Sequence, residues 1–228
     1  MITGASRGLG RALADALARR DWDLVIDART ESDLTRAAGE LDALGSGAVT
    51  SIAGDITDLH HVAALTSTAG ETGRLDLLVN NASILGPSPQ PTLDIYPIDV
   101  LRDVIEVNLI GPLRLTQTSL PLLRETGGTV VNIPSDAAVE GYEGWGGYGS
   151  SKAALEQMSK VLAAEEPALR VYWFDPGDMN TRMHQEAFPD EDISDRPNPE
   201  DRVPGLLTLI ENRYPSGRYT ASELLVSA

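Results

Sequence analysis

Residues 3–10, Thr3-Gly4-Ala5-Ser6-Arg7-Gly8-Leu9-Gly10, run directly into a stretch in which Leu9, Leu13, Ala16 and Leu17 recur at helical spacing. A glycine-rich loop that opens a helix lets backbone N–H groups and the positive helix end approach a pyrophosphate. Side chains at the glycines would block that approach, although a glycine triplet alone is equally compatible with a tight turn. Arg11 follows Gly10, so the lysine and hydroxyl pair of a triphosphate-gripping loop is missing. Only Met1 and Ile2 precede Thr3, whereas a loop of this kind follows a strand of typically about five residues. The first strand is therefore expected to be truncated or missing here, or to begin upstream of Met1.

Outward from the loop, short apolar runs at 23–27, 48–52, 75–79, 129–133 and 170–174 alternate with amphipathic stretches at 9–20, 33–44, 59–72, 100–125 and 151–166. Alternation of this kind predicts βα units and a parallel sheet covered by helices on both faces, an α/β, Rossmann-like doubly wound fold. Such a sheet binds its ligand beyond the carboxyl ends of the strands, near the point where strand order reverses. The candidate motifs each follow one of these strands.

The chain has 228 residues, 42% of them hydrophobic, enough for one core; a single domain over 1–228 is expected, with 178–204 as an insertion over the substrate end. Its 34 acidic and 18 basic residues give a formal charge of -16, which repels nucleic acid and anionic lipid surfaces. There is neither an apolar run long enough to span a bilayer nor a leader-like opening, so a cytoplasmic location is expected. Zero cysteines exclude thiol chemistry, and His60, His61 and His184 have no metal-ligand spacing, so no metal is expected.

Tyr148-Gly149-Ser150-Ser151-Lys152 puts a phenol and an ammonium four residues apart, on one face of a helix expected to start around Tyr148. A free phenol has a pKa near ~10, and a neighbouring cation should lower it toward the range useful for acid/base catalysis. An arbitrary pair at this spacing is more often an interfacial aromatic and a solvated charge. Here Ser135 stands at the end of the fourth strand, where its hydroxyl can hold a carbonyl oxygen beside the phenol. Asn108 is a polar residue among Val107, Leu109 and Ile110 in the long stretch 100–125, where it can cap or kink the helix through its amide.

Taken together, these motifs resemble the short-chain dehydrogenase/reductase family over essentially the whole chain. Thr3 to Gly10 resembles the family's nucleotide loop, Asn80-Asn81-Ala82-Ser83 its Asn-Asn-Ala-Gly, and Asn108, Ser135, Tyr148 and Lys152 its catalytic four, in order and spacing. The resemblance implies hydride transfer between a nicotinamide and a carbonyl or alcohol. Tyr148 would exchange the proton, Ser135 would position the substrate oxygen, Lys152 would contact the nicotinamide ribose, and Asn108 would hold a water in the proton relay. It also implies cofactor contacts at Gly4, Ser6, Arg7, Gly8, Leu9, Gly10, Asn81 and Ala82, at Asp55 and Ile56 beside the adenine, and at Pro176, Gly177 and Thr181 beside the carboxamide. A homo-oligomer is implied as well. The family's glycine-rich ending is missing after residues 215–219, which resemble its last strand; a dimer through helices 100–125 and 151–166 is then expected rather than a tetramer.

In relatives that use NAD an acidic residue ends the second strand and repels a 2′-phosphate. Here that position is Ala28, followed by Arg29, and with Arg7 in the loop NADP(H) is favoured over NAD(H). Asp27 lies one residue earlier, where alternation turns it to the other face. Ser83, in place of glycine, is expected to crowd the cofactor groove mildly, and Pro134 to end strand pairing just before Ser135. Selectivity is expected from 83–97, 140–145 and 178–204, with Trp145 and Met179 as apolar walls. The chief alternative is a catalytically silent NADP-binding sensor on the same fold, which would leave the catalytic four unexplained. Epimerases and dehydratases of the longer branch have a closer glycine spacing and a larger C-terminal domain.

Overall fold

The computed structural model describes residues 1–226. Strands β1 (Leu24–Ala28), β2 (Val49–Ala53), β3 (Leu77–Asn80), β4 (Thr129–Asn132), β5 (Arg170–Asp175) and β6 (Gly217–Thr220) alternate with helices α1 (Gly8–Ala18), α2 (Glu31–Asp42), α3 (Leu59–Glu71), α4 (Ile98–Ile105), α5 (Gly111–Thr126), α6 (Gly146–Glu165), α7 (Arg182–Ala187), α8 (Val203–Asn212) and α9 (Ala221–Val226). Every strand pair is parallel: β1 with β2, then β3, β4, β5 and β6 in line. The five expected strands lie within two residues of β1 to β5.

The expected gap in the sheet is bridged by the few residues before the glycine loop. Ile2 N donates to Val25 O at 2.9 Å and Thr3 N to Val79 O at 3.0 Å, so Ile2 pairs with β1 on one side and β3 on the other. The Met1 amine donates to Leu77 O at 2.8 Å; burial lowers its pKa to about 5, against the attraction of Asp76. The resulting order is β2, β1, the Met1–Thr3 segment, β3, β4, β5, β6. Strand order therefore reverses at residues 1–3, directly beneath the glycine loop, which is where a doubly wound sheet opens its ligand crevice.

Side-chain alternation splits the core in two. Leu77, Val79, Val131, Tyr172 and Phe174 face Leu13 and Leu17 of α1 and Leu206 and Leu209 of α8. Leu78, Val130 and Val171 face Val62 and Leu65 of α3 and Leu115 and Leu123 of α5. Each of these fully buried side chains contributes roughly 1.5–3 kcal/mol through apolar area removed from water, which fixes the sheet as a rigid base.

The helix expected over 100–125 is interrupted. A π-turn, Glu106–Ile110, separates α4 from α5, and Gly111 N reaches back five residues to Glu106 O. Pro112 supplies one cause, since it has no N–H to return to the carbonyl of Asn108 four residues earlier.

Candidate active site

A cleft of about 1200 Å³ runs along the carboxyl ends of the strands, from Arg7 and Arg29 at one end to Trp145 and Met183 at the other. That exceeds the usual volume of a small-ligand pocket, up to about 1000 Å³. All the predicted cofactor residues except Gly10 line it: Gly4, Ser6, Arg7, Gly8, Leu9, Arg29, Asp55, Ile56, Asn81, Ala82, Tyr148, Lys152, Pro176, Gly177 and Thr181. Of the catalytic four, Ser135, Tyr148 and Lys152 line it and Asn108 lies behind its wall.

The glycine loop is shaped by close approach. Gly4 and Gly8 adopt φ of 65° and 59°, where glycine is favoured. A Cβ on Gly10 would stand 2.5 Å from Asn81 Nδ2 and 2.7 Å from Gly4 O. Asn81 holds the loop there, donating from Nδ2 to Thr3 O at 2.9 Å and to Gly4 O at 3.2 Å. Its amide is thus committed to the loop, and only the rest of the residue faces the cleft. The N-cap of α1, Arg7, makes no side-chain cap, so the first N–H groups of the helix remain open toward the cleft. Gly10→Ala is expected to destabilise the fold by about 1–3 kcal/mol through overpacking, read as a lowered Tm.

Tyr148 and Lys152 share one face of α6, with Lys152 Nζ 5.4 Å from the centre of the Tyr148 ring. Both are nearly fully buried. Lys152 Nζ donates to Ile133 O at 2.7 Å, at the end of β4. Ser135 Oγ donates to Asp136 Oδ1 at 2.8 Å and accepts from Ala137 N at 3.2 Å, and it stands beside the phenol. Asn108 accepts at Oδ1 from Ile84 N and Ser83 Oγ, and donates from Nδ2 to Ile84 O and Ser151 Oγ, at 2.9–3.0 Å. That amide is fully used in tying the Ser83–Ile84 segment to α6, leaving no capacity for the water expected of it.

The electrostatics correct one expectation. Burial first, then Asp175 and Asp136, push the Tyr148 phenol above its ordinary value; the neighbouring hydroxyls of Ser83 and Ser135 partly oppose this. Lys152 is itself pushed down by burial to about 7, so at neutrality it offers only part of a charge. The protein's own groups therefore keep the phenol protonated rather than making it acidic. Ser83 lines the cleft, and its hydroxyl turns toward Asn108.

At the opposite end, Asp27 lies on the α3 side of the sheet, as alternation required. Its Oδ1 accepts from Gly4 N at 2.8 Å, and its Oδ2 lies 3.0 Å from His61 Nε2. Both oxygens are thereby engaged, at 2% exposure. Among the described residues the guanidinium groups of Arg7 and Arg29 make no hydrogen bond or ion pair, although Arg29 attracts the Asp55 carboxylate. Asp55 accepts from Thr57 N and Oγ1 at 2.9 and 2.8 Å. Gly177 N donates to Asp175 Oδ1, while Thr181 Oγ1 caps α7 by accepting from His184 N.

Three features escaped the sequence reading. Asp175, buried beneath Pro176, pairs with Arg218 at 2.8 Å, and Arg218 continues to Glu156 at 3.2 Å. Asp136 orients Ser135 and also accepts from Tyr142 Oη at 3.1 Å. Ser83 adds a second hydroxyl beside the phenol. Of these only Asp136, adjacent to Ser135, had a local sequence signal.

The short chain dehydrogenase family model matches residues 1–192. Sepiapterin reductase of Mus musculus is 37% identical over 199 residues, covering 82% of this chain and 76% of its own. The Escherichia coli K12 oxidoreductase YciK is 32% identical over 220 residues, covering 92% and 84%. Among solved structures, a short chain dehydrogenase from Shigella flexneri 2a strain 301 complexed with NADP superposes with a TM-score of 0.91 at 31% identity, over 97% of this chain and 95% of the other. One from Escherichia coli CFT073 complexed with NADPH gives 0.90 at 32% identity, over 96% and 94%. Sequence match and superposition agree along nearly the whole chain, and the protein belongs to the short-chain dehydrogenase family of oxidoreductases.

Proposed function

We propose that this protein reduces a carbonyl compound to an alcohol at the expense of NADPH, with Tyr148 as the proton donor. The observation that carries this reading is the phenol itself: buried, flanked by the hydroxyls of Ser135 and Ser83, and packed against the Lys152 amine at one end of the cleft. The cleft suits a dinucleotide, since the loop has no room for a Cβ at Gly10 and the first N–H groups of α1 are open. NADPH, when bound, supplies the hydride.

The chain's own residues account for the rest. Ser135 Oγ holds the substrate oxygen, and Tyr148 Oη delivers its proton to that oxygen as the alcohol forms. The raised phenol stays protonated at neutrality, the form that can donate to the forming alkoxide. Lys152, with further N–H donors beyond its bond to Ile133 O, is assigned to the ribose hydroxyls. Asn108 is assigned to the relay through its main-chain carbonyl, to which Pro112 can return no N–H, while its amide sets the Ser83–Ile84 wall. The 178–204 segment, which contains α7, closes over the substrate end.

Preference for NADPH rests on two observations. Arg7 and Arg29 line the far end of the cleft with no hydrogen bond or ion pair to their guanidinium groups, and guanidinium forks suit a 2′-phosphate. The carboxylate of Asp27 is already engaged by Gly4 N and His61, so it is not free to accept from ribose hydroxyls. Arg29→Ala is expected to weaken NADPH about tenfold or more and NADH hardly at all, measured by calorimetric titration of both cofactors. Equal losses for the two would contradict the assignment.

Ser83 gives a second test. Its hydroxyl beside the phenol opposes the upward shift, so Ser83→Gly should raise the phenol's pKa further. The rising limb of alcohol oxidation against pH is expected to move to higher pH, while carbonyl reduction near neutrality changes little. An unmoved oxidation profile would remove Ser83 from the account.

A further inference from the structure

The two ends of the cleft carry opposite charge, and the substrate end combines its charge with aromatic rings. Trp145 meets Tyr142, Tyr148 and Phe188 at centroid distances of 6.4, 5.7 and 5.8 Å, the first two edge-on. Three carboxylates from two segments, Asp136 and Glu140 on one and Asp178 on the other, act on the Tyr142 phenol. Asp136 accepts from the Tyr142 hydroxyl, and this hydrogen bond and the Asp136 charge, then burial, Glu140 and Asp178, raise the Tyr142 phenol's pKa.

Little positive charge answers them. Among the described residues no lysine or arginine pairs with Asp136 or Glu140. Asp178 stands 3.8 Å from His184 Nδ1 and 3.9 Å from Arg196, which is bound to Asp195 at 2.7 Å and also lies 3.9 Å from Glu191, and Arg202 donates to the Asp178 main-chain oxygen at 3.2 Å. Arg182 is taken by Glu186 at 2.7 Å, and Lys152 points to Ile133 O. The unpaired guanidiniums of Arg7 and Arg29 are at the other end.

Resting on the reductase reading above, we propose that the substrate end selects aromatic carbonyl compounds that carry a positive charge, and rejects those that carry a carboxylate. A flat ring stacks on the Trp145 cluster, an ammonium gains from both the ring faces and the uncompensated carboxylates, and an anion is repelled by them. The groups lie at a solvated mouth, so the selection is moderate and sensitive to salt.

Three aldehydes of one shape test it: 4-formylbenzyltrimethylammonium, methyl 4-formylphenylacetate and 4-formylphenylacetate. In kcat/KM with NADPH the ammonium compound is expected to exceed the carboxylate by about tenfold at low ionic strength, mostly through KM. That ratio is expected to shrink in about 0.5 M salt and to collapse in the Glu140→Gln/Asp178→Asn double variant. Intrinsic aldehyde reactivity cancels in the comparison between wild type and variant. A carboxylate reduced as well as the ammonium compound, or a ratio unmoved by the double substitution, overturns the proposal and leaves the reductase reading standing. Benzyltrimethylammonium and phenylacetate titrated into NADPH-loaded protein read the same selection without chemistry. Tighter binding of the cation with no aldehyde reduced would keep the charge selection and sink the reductase reading; equal binding would overturn the selection.

Discussion

Tyr148→Phe is expected to lower kcat/KM for carbonyl reduction by about a thousandfold while NADPH still binds with near wild-type affinity. The substitution removes one oxygen from a side chain that is 8% exposed and packs edge-on against Trp145, so the ring remains in place. What is lost is the proton donor between the hydroxyls of Ser135 and Ser83. General acid catalysis by a positioned group contributes typically about 10²–10⁴ in rate, and no other acid touches that oxygen position: Asp136 is bound by Ser135, Ala137 and Tyr142, and Asp175 by Arg218 and Gly177. NADPH oxidation in the presence of a neutral aldehyde, with cofactor binding followed in the same samples, checks both halves. Loss of binding together with activity would mean that the phenol supports the fold rather than the chemistry.

Lys152→Met is expected to abolish turnover and, in the absence of cofactor, to raise stability. Burial holds the amine at about 7 against an ordinary 10.5. The unfolded chain therefore binds a proton that the folded chain releases between these values, and stability rises with pH across that window. Below about pH 7 the folded protein instead carries a buried ammonium, at a cost on the order of 3–5 kcal/mol. A methionine of similar length lacks that cost and forfeits only the hydrogen bond to Ile133 O, worth roughly 1–3 kcal/mol. The variant should consequently melt higher than wild type at pH 6, with the gap narrowing toward pH 10. A lower Tm at pH 6 would show that the Lys152 to Ile133 bond outweighs the burial of the charge.

Local patterns were legible from the residues because their physics is local. Loop glycines before a helix, and a phenol and an amine one turn apart on α6, need only short-range geometry, and both are present as expected. The side of the sheet taken by Asp27 followed from strand alternation. Features that depend on distant partners were not legible. Asp175 meets Arg218 across 43 positions, and the direction of the Tyr148 shift reflects how deeply α6 buries the ring. The π-turn at Asn108 had a cue in Pro112, but a continuous apolar pattern through 100–125 masked it. The short central strand was expected from the position of the glycine loop; that Ile2 alone would bridge β1 and β3 was not.

The most direct measurement follows the hydrogen on C4 of the cofactor. With NADPH deuterated at the transferred position and a neutral aryl aldehyde, wild-type protein should yield alcohol carrying one deuterium on the former carbonyl carbon, and Tyr148→Phe should yield essentially none while still binding NADPH. Stoichiometric NADPH binding by the wild type with no deuterated alcohol from any carbonyl offered, or equal deuterium transfer by the variant, would contradict the assignment of Tyr148 as the proton donor of a reductase.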